Sequence, residues 1–150
     1  MPTLTFDHRF EVEAPVETVG AFHFSPNAFI SLKPPLSPIR LISAEPLAEG
    51  SRLLFRMGLG PVGLDWLARH EGVDPRSGFT DVSEQGPMRA WRHTHRWRAL
   101  GPNRTEVHDH IEFEHPDGAL GWFTRLAFGK PALQLLFWSR ARATRAALRG

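Results

Sequence analysis

The chain has 150 residues, 41% of them apolar and 11% aromatic, which suits one folded domain able to bury about two-thirds of its unfolded surface. It has no cysteine, which excludes disulfides and thiolate metal sites, and no apolar run nears the roughly 20 residues of a membrane-spanning helix. The formal net charge is only +2; the pI of about 9.9 follows from having two lysines and no Tyr or Cys to titrate above neutrality, so it does not imply nucleic-acid binding. The amino terminus lacks the basic and apolar blocks of a secretory signal, and a cytoplasmic location is expected.

Thr3 to Glu13 alternates, with Leu4, Phe6, His8, Phe10 and Val12 on one face, and predicts a long first strand. Pro15 suits the first turn of a helix, Glu17 favours its dipole, and Val16, Val19 and Phe22-His23 carry the helix to about Phe24. Ser25-Pro26 repeats the start signal for a second short helix through Leu32, which Lys33-Pro34-Pro35 ends. Short strands follow at hairpin spacing: Ile39 to Glu45, Arg52 to Met57 with Leu53, Phe55 and Met57 inward, and Leu64 to His70 with Trp66, Ala68 and His70 inward. Between the last two, Gly58 to Gly63 matches a G-x-G-x-x-G string. A dinucleotide site would need a helix to begin there, and the residues that follow read as a strand, so the glycines predict a hairpin turn.

Asp74 to Gly78 is a turn, and Phe79 to Gln85 a strand with Phe79 and Asp81 on one face. Trp91 to His115 then reads as a hairpin about Gly101-Pro102-Asn103. Leu100 opposite Arg104 sets a register that pairs Trp97 with Val107, His95 with Asp109, His93 with Ile111 and Trp91 with Phe113. The other face pairs Arg98 with Glu106 and Arg92 with Glu112. A one-residue slip would bury those charges, so this register is strongly favoured. After Asp117-Gly118 the chain is helical to its end, interrupted at Gly129-Lys130-Pro131. Leu133, Leu136, Phe137, Arg140, Ala141, Thr144 and Leu148 form a buried stripe, and Arg142, Arg145 and Arg149 an exposed one. No repeat or linker divides the chain, so residues 1–150 are expected to form a single domain. The order predicts an α+β fold in which a curved antiparallel sheet of about seven strands wraps a long C-terminal helix, leaving a cavity between them.

The inward set contains His8, Phe10, Trp66, His70, Phe79, Asp81, Trp91, His93, Trp97 and Ile111 from the strands, with Phe137 on the helix stripe. Aromatic walls with a few polar groups suit a small-molecule pocket, whereas four inward histidines and two aspartates would be costly in a dry core. His95 opposite Asp109 is the candidate catalytic pair, because a carboxylate beside an imidazole orients it and raises its pKa. A structural hydrogen bond across the pocket floor is the competing and simpler reading. No inward Arg, Lys or Tyr is evident to stabilise developing negative charge. His93-x-His95 with Asp109, and His70 or His8, could ligate a metal. That pattern is common by chance in a chain with eight histidines, so neither metal nor cofactor is expected.

Several phrases, spread in order over most of the chain, resemble a known superfamily: Ala14-Pro15-Val16-Glu17 with Phe22-His23, Leu32-Lys33-Pro34-Pro35, Glu49-Gly50, Trp66 to His70, Phe79-Thr80-Asp81, Gly86-Pro87, Trp91 to His95, Asp109-His110-Ile111 and Phe137 to Arg140. They are similar to the SRPBCC or START-like proteins, the helix-grip fold of the birch-pollen allergen and the polyketide cyclase/dehydrase-like proteins, in a bacterial branch. The resemblance implies two short helices after strand 1 and a cavity for a hydrophobic or aromatic ligand (lipid, quinone or polyketide-like). The expected role is carrier, sensor or chaperone. The alternatives are a cyclase/dehydratase-type enzyme using His95 and Asp109, and a protein-interaction domain with a vestigial cavity. The expected partner is a small hydrophobic ligand, not nucleic acid, with membrane contact through the arginine stripe a weaker reading. Nothing in the pattern names the ligand or sets the oligomeric state.

Overall fold

Period-2 alternation over residues 4–12 and in stretches between 39 and 114 becomes seven antiparallel strands in one sheet, ordered β1-β7-β6-β5-β4-β3-β2. In chain order the elements are β1 (Leu4–Val12), α1 (Val16–Phe24), α2 (Ala28–Leu32), β2 (Ile39–Ala44), β3 (Arg52–Leu59), β4 (Val62–Asp74), β5 (Gly78–Gln85), β6 (Ala90–Gly101), β7 (Arg104–Glu114), α3 (Gly118–Phe128) and α4 (Lys130–Ala147). The computed structural model describes residues 3–34, 37–59 and 61–149. Part of the Lys33-Pro34-Pro35 stop signal and part of the glycine turn therefore lie outside the described residues, at Pro35 and Gly60. The hairpin reading of that turn holds, since Leu59 pairs with Val62 and no helix follows.

The sheet grips α4, whose Leu133, Phe137, Ala141 and Thr144 are buried as the helical stripe predicts. Gly129, extended at φ −71° and ψ 167°, breaks the terminal helix into α3 and α4, and Pro131 occupies the first turn of the second piece, where its missing N–H costs nothing. The apolar side chains divide into two clusters. One gathers Phe6, Trp66, Trp91, Ile111, Phe113, Leu133 and Phe137; the other gathers Phe10, Val12, Val19, Phe79, Trp97, Val107 and Ala141.

The β6–β7 register is the expected one from Trp91↔Phe113 through Ala99↔Thr105. Its tip differs. Gly101, not Leu100, sits opposite Arg104, and the register shifts between Ala99 and Gly101. Leu100 is the extra residue, and its bulge leaves a tighter turn than three loop residues would make. On the outer face Arg98 meets Glu106 as expected (3.4 Å). Arg92 faces Glu112 across the ladder but sends its guanidinium to Glu71 on β4 instead (2.6 Å). Arg69 points outward to Glu71 and Glu84. Arg145 is more than a solvated charge, since its Nε donates to the Glu11 carbonyl (3.1 Å) and holds α4 to β1.

Candidate functional site

The inward faces of β3 to β6 close against α2 and α4 around a cavity of ≈ 480 Å³. Its aromatic wall is Phe29, Phe55, Trp66, Trp91, Phe128 and Phe137. Phe55 stacks on Trp66 (ring centroids 5.6 Å, 17°), Trp66 meets Trp91 edge-on (5.2 Å, 88°), and Phe29 leans on Phe55 (5.0 Å). Offset and edge-on contacts of this kind hold large rings in place and leave apolar surface for a guest. The polar surfaces are His23, Ser25, Lys33, Glu45, His70, Asp81, His93, His95 and Arg140.

The cavity floor is formed by Asp81, His93 and His95, with Asp109 behind them as the fourth member of the cluster. His93 and His95 project from the same face of β6, two residues apart, and their rings stack at 3.7 Å. His93 Nε2 donates to Asp109 Oδ1 (2.8 Å), and His95 Nε2 donates to Asp81 Oδ2 (2.6 Å). His95 Nδ1 lies 3.4 Å from Asp109 Oδ1 without hydrogen-bond alignment, and His93 Nδ1 lies 3.9 Å from Asp81 Oδ2. Each histidine therefore lies between the two carboxylates. The expected His95–Asp109 pair is opposite in register and in contact at 3.4 Å, while each residue makes its shortest hydrogen bond with another partner. Side chains lean along the strands, so a register partner is not always a hydrogen-bond partner. Gly78 at φ 137° makes this packing possible. A Cβ there would strike the His95 carbonyl, and its absence lets β5 bring Phe79 and Asp81 against β6.

Burial works against charge on all four groups, and their mutual contacts decide the outcome. Burial lowers His93, and the neighbouring His95 charge lowers it further, so His93 is the neutral member. Burial also disfavours a charged His95, but Asp109 and Asp81 outweigh it and raise its pKa above the ordinary value. Burial would raise both carboxyls; the two imidazoles instead hold Asp81 below and Asp109 well below the usual range. Of the two imidazoles, His95 is the one whose charged form the carboxylates favour. Two like groups with their pKa values pushed apart are the arrangement acid–base chemistry requires, and buried ion-pair networks share it. Asp81, His93 and His95 also present ligand atoms within 4.8 Å of one another, a set that could take a divalent cation.

Of the expected site residues, Trp66, His70, Phe79, Asp81, Trp91, His93, His95 and Phe137 line the cavity. His8, Phe10, Trp97, Asp109 and Ile111 do not. Phe10 and Trp97 belong to the second core cluster, Ile111 is fully buried in the first, and His8 packs between Phe10 and Phe137 with Nδ1 buried and unpartnered. Asp109 sits behind the two histidines, where it can position them without touching a guest. These residues share strand parity with the cavity wall but lie where the helices pack onto the sheet. His70 is tied to Ser51, its Nδ1 lying 2.9 Å from the hydroxyl and 3.1 Å from the carbonyl oxygen.

The pattern missed His23, Lys33, Phe128 and Arg140. His23 stacks on Trp97 (4.7 Å), donates from Nδ1 to the Val19 carbonyl (2.8 Å), and is lowered to about 4 by burial. Arg140 corrects the expectation that no cation faces inward: it lines the cavity with its guanidinium carbon 5.3 Å from the Phe137 ring centre. Its place on the buried helical stripe was the available signal.

Residues 35–148 match the family described as "Domain of unknown function (DUF8410)". No curated protein matches the chain by sequence. Among solved structures, the chain is similar to the Zhui aromatase/cyclase from Streptomyces sp. R1128 (14% identity, TM-score 0.68, covering 97% of this chain and 91% of that one). It is also similar to a START superfamily protein from Mycobacterium smegmatis (14%, TM-score 0.69, 96% of each chain). A nucleoside-diphosphate sugar epimerase from Corynebacterium glutamicum is 26% identical with a TM-score of 0.72 over 97% of this chain, but over only 29% of its own length. These likenesses show the helix-grip, START-like fold.

Proposed function

The chain belongs to the DUF8410 family, and from that premise and its START-like scaffold we propose that it binds a hydrophobic or aromatic small molecule between the sheet and α4, as a carrier, sensor or chaperone. The observation that carries this reading is the continuous aromatic wall above a polar floor, around a volume of ≈ 480 Å³ that suits a drug-sized guest. Apolar area would supply the affinity, and the histidine–aspartate floor with Arg140 would fix the guest's orientation. We propose one domain over residues 1–150 as the binding unit. N-Phenyl-1-naphthylamine, a neutral apolar fluorophore, tests the site. One saturable site is expected, weakened about tenfold by Trp66→Ala through lost apolar contact. Fluorescence that never saturates, or that ignores Trp66→Ala in a folded protein, would overturn it.

A specific observation favours a second reading, an enzyme of the cyclase/dehydratase type. His95, whose charged form its carboxylate neighbours favour, lies in a cavity also lined by Arg140, a cation for developing negative charge. In that chemistry His93 Nδ1 would take the α-proton, Arg140 would stabilise the enolate oxygen so formed, and His95 would give its proton to the hydroxyl, which leaves as water when the C–O bond breaks. Asp109 would act as a positioning residue behind His95. His95→Gln is then expected to abolish turnover of a cyclisable β-keto substrate while still binding the naphthylamine. Undiminished turnover would remove His95 from the chemistry.

A further inference from the structure

Helix α3 is built inside out. Its small and polar positions face the protein: Gly121 and Thr124 are buried, and Thr124 Oγ1 donates to the Gly121 carbonyl (3.1 Å) while accepting from His115 Nδ1 (2.9 Å). A Cβ at Gly121 would run into the Pro116 carbonyl, so this side of the helix is seated as closely as a backbone allows. Apart from Phe128, which turns inward to the cavity, its large apolar positions face solvent, with Leu120 40%, Trp122 78%, Phe123 51% and Leu126 82% exposed. At about 100° per residue, Ala119, Leu120, Trp122, Phe123, Leu126 and Ala127 fill an arc of about 160° that holds no polar side chain. Surface helices of folded domains orient the other way, and a contiguous exposed ridge marks an interaction surface where a lone exposed leucine does not.

Charge identifies the kind of surface that would cover it. All sixteen acidic residues lie at or before Asp117, alongside twelve basic ones. From Gly118 onward there is no acidic residue and six basic ones: Arg125, Lys130, Arg140, Arg142, Arg145 and Arg149. The chain of net charge +2 is thus a body of −4 joined to a helical segment of +6. On α4, Leu135 and Trp138 are also exposed (66% and 55%), and the Arg142 guanidinium lies 4.9 Å from the Trp138 ring centre.

We propose that α3 is an interfacial helix that lays its Leu120–Trp122–Phe123–Leu126 ridge into the headgroup region of an anionic lipid bilayer, with the exposed Arg125, Lys130, Arg142 and Arg149 held against the lipid charge. Tryptophan combines an apolar body with an N–H that seeks the wet boundary, and a Trp/Phe/Leu face flanked by arginine and lysine is the composition of helices that lie in that plane. Among the described residues no helix is long and apolar enough to cross a membrane, which fits a helix that rests on one. A second copy of the chain is a poorer occupant, because matching ridges would bring two acid-free, basic segments together.

The test uses the full chain and sedimentation with vesicles of phosphatidylcholine, alone or with about 30% phosphatidylglycerol. Binding to the anionic vesicles is expected to be at least about tenfold stronger than to the neutral ones, and to weaken in about 0.5 M salt. Trp122→Ser with Leu126→Ser should lower it about tenfold or more. Both side chains are exposed, so this variant should keep its circular dichroism and its naphthylamine binding, which separates the proposal from the cavity reading. Equal or absent binding to the two vesicle types would overturn it. So would a concentration-dependent dimer, dissolved by the same double variant and indifferent to lipid, which would assign the ridge to self-contact.

Discussion

Two aspartate–histidine clusters lie back to back on the same sheet. Inside, Asp81 and Asp109 flank His93 and His95; outside, Asp7 Oδ1 accepts from His108 Nε2 and His110 Nδ1, both at 2.8 Å. Asp109 stands between His108 and His110 in the chain and points the opposite way, because side chains alternate along β7. The chemistry is the same and the environment is not. The Asp7 side chain is 50% exposed and the Asp109 side chain 5%. Outside, water competes for every hydrogen bond and salt screens every charge. Inside, each group depends on its neighbours, so the cluster's geometry and proton inventory are held together.

The largest expected consequence is on stability. Asp109→Ala removes one of the two carboxylates that hold the inner imidazoles, and should cost about 3–5 kcal/mol in chemical denaturation. Asp7→Ala should cost no more than about 0.5–1 kcal/mol, since its partners are solvated. Equal costs would mean that burial does not separate the clusters.

The second difference is in pH response. His23, beside the inner cluster's core, is lowered from 6.5 to about 4 by burial. The unfolded chain binds this proton below pH 6.5 and the folded chain resists until about 4, so stability is present above pH 6.5 and lost as pH falls between these values. His23→Phe keeps a ring against Trp97 and should shrink that acid loss by about 3 kcal/mol, read as denaturation midpoints across the window. The half-buried His8 and the buried His70 and His93 are lowered in the same direction, mainly by burial, so part of the loss should persist.

The smallest effect belongs to the outer cluster. Burial would raise Asp7, but its bonds to His110 and His108 prevail and lower it, so its contribution is present above about pH 3.8 and lost as pH falls through the folded value. The Asp7 hydrogen bond raises His110, whose contribution is full below pH 6.5 and lost as pH rises through its folded value. Asp7→Asn should therefore differ most from the parent between about pH 4 and 6.5, by a few tenths of a kcal/mol. About 0.5 M salt should erase the difference while leaving the Asp109→Ala penalty in place.

The β6–β7 register was legible because one face is apolar and the other charged, and only one alignment satisfies both. The buried stripe on α4 was legible for a similar reason, including Arg140. What periodicity could not distinguish was an inward residue that lines the cavity from one that packs beneath a helix. Trp66 and Trp97 read alike in sequence, yet Trp66 faces the cavity and Trp97 is covered by His23 and Phe24 of α1. Nor could it show that α3 turns its apolar face outward, because an amphipathic pattern states which residues share a face and not which way that face points.

By itself, then, the sequence determined the order of the elements, the β6–β7 register short of its bulged tip and the face on which each side chain lies, since these follow from local periods of 2 and 3.6 residues. Only the tertiary structure decided which inward groups meet. The pairing of His93 with Asp109 and His95 with Asp81 depends on three strands converging at one depth, and Arg140 reaches the cavity because the sheet closes on α4 at that turn. Contacts between distant segments are set by how the layers pack, and no local pattern encodes that.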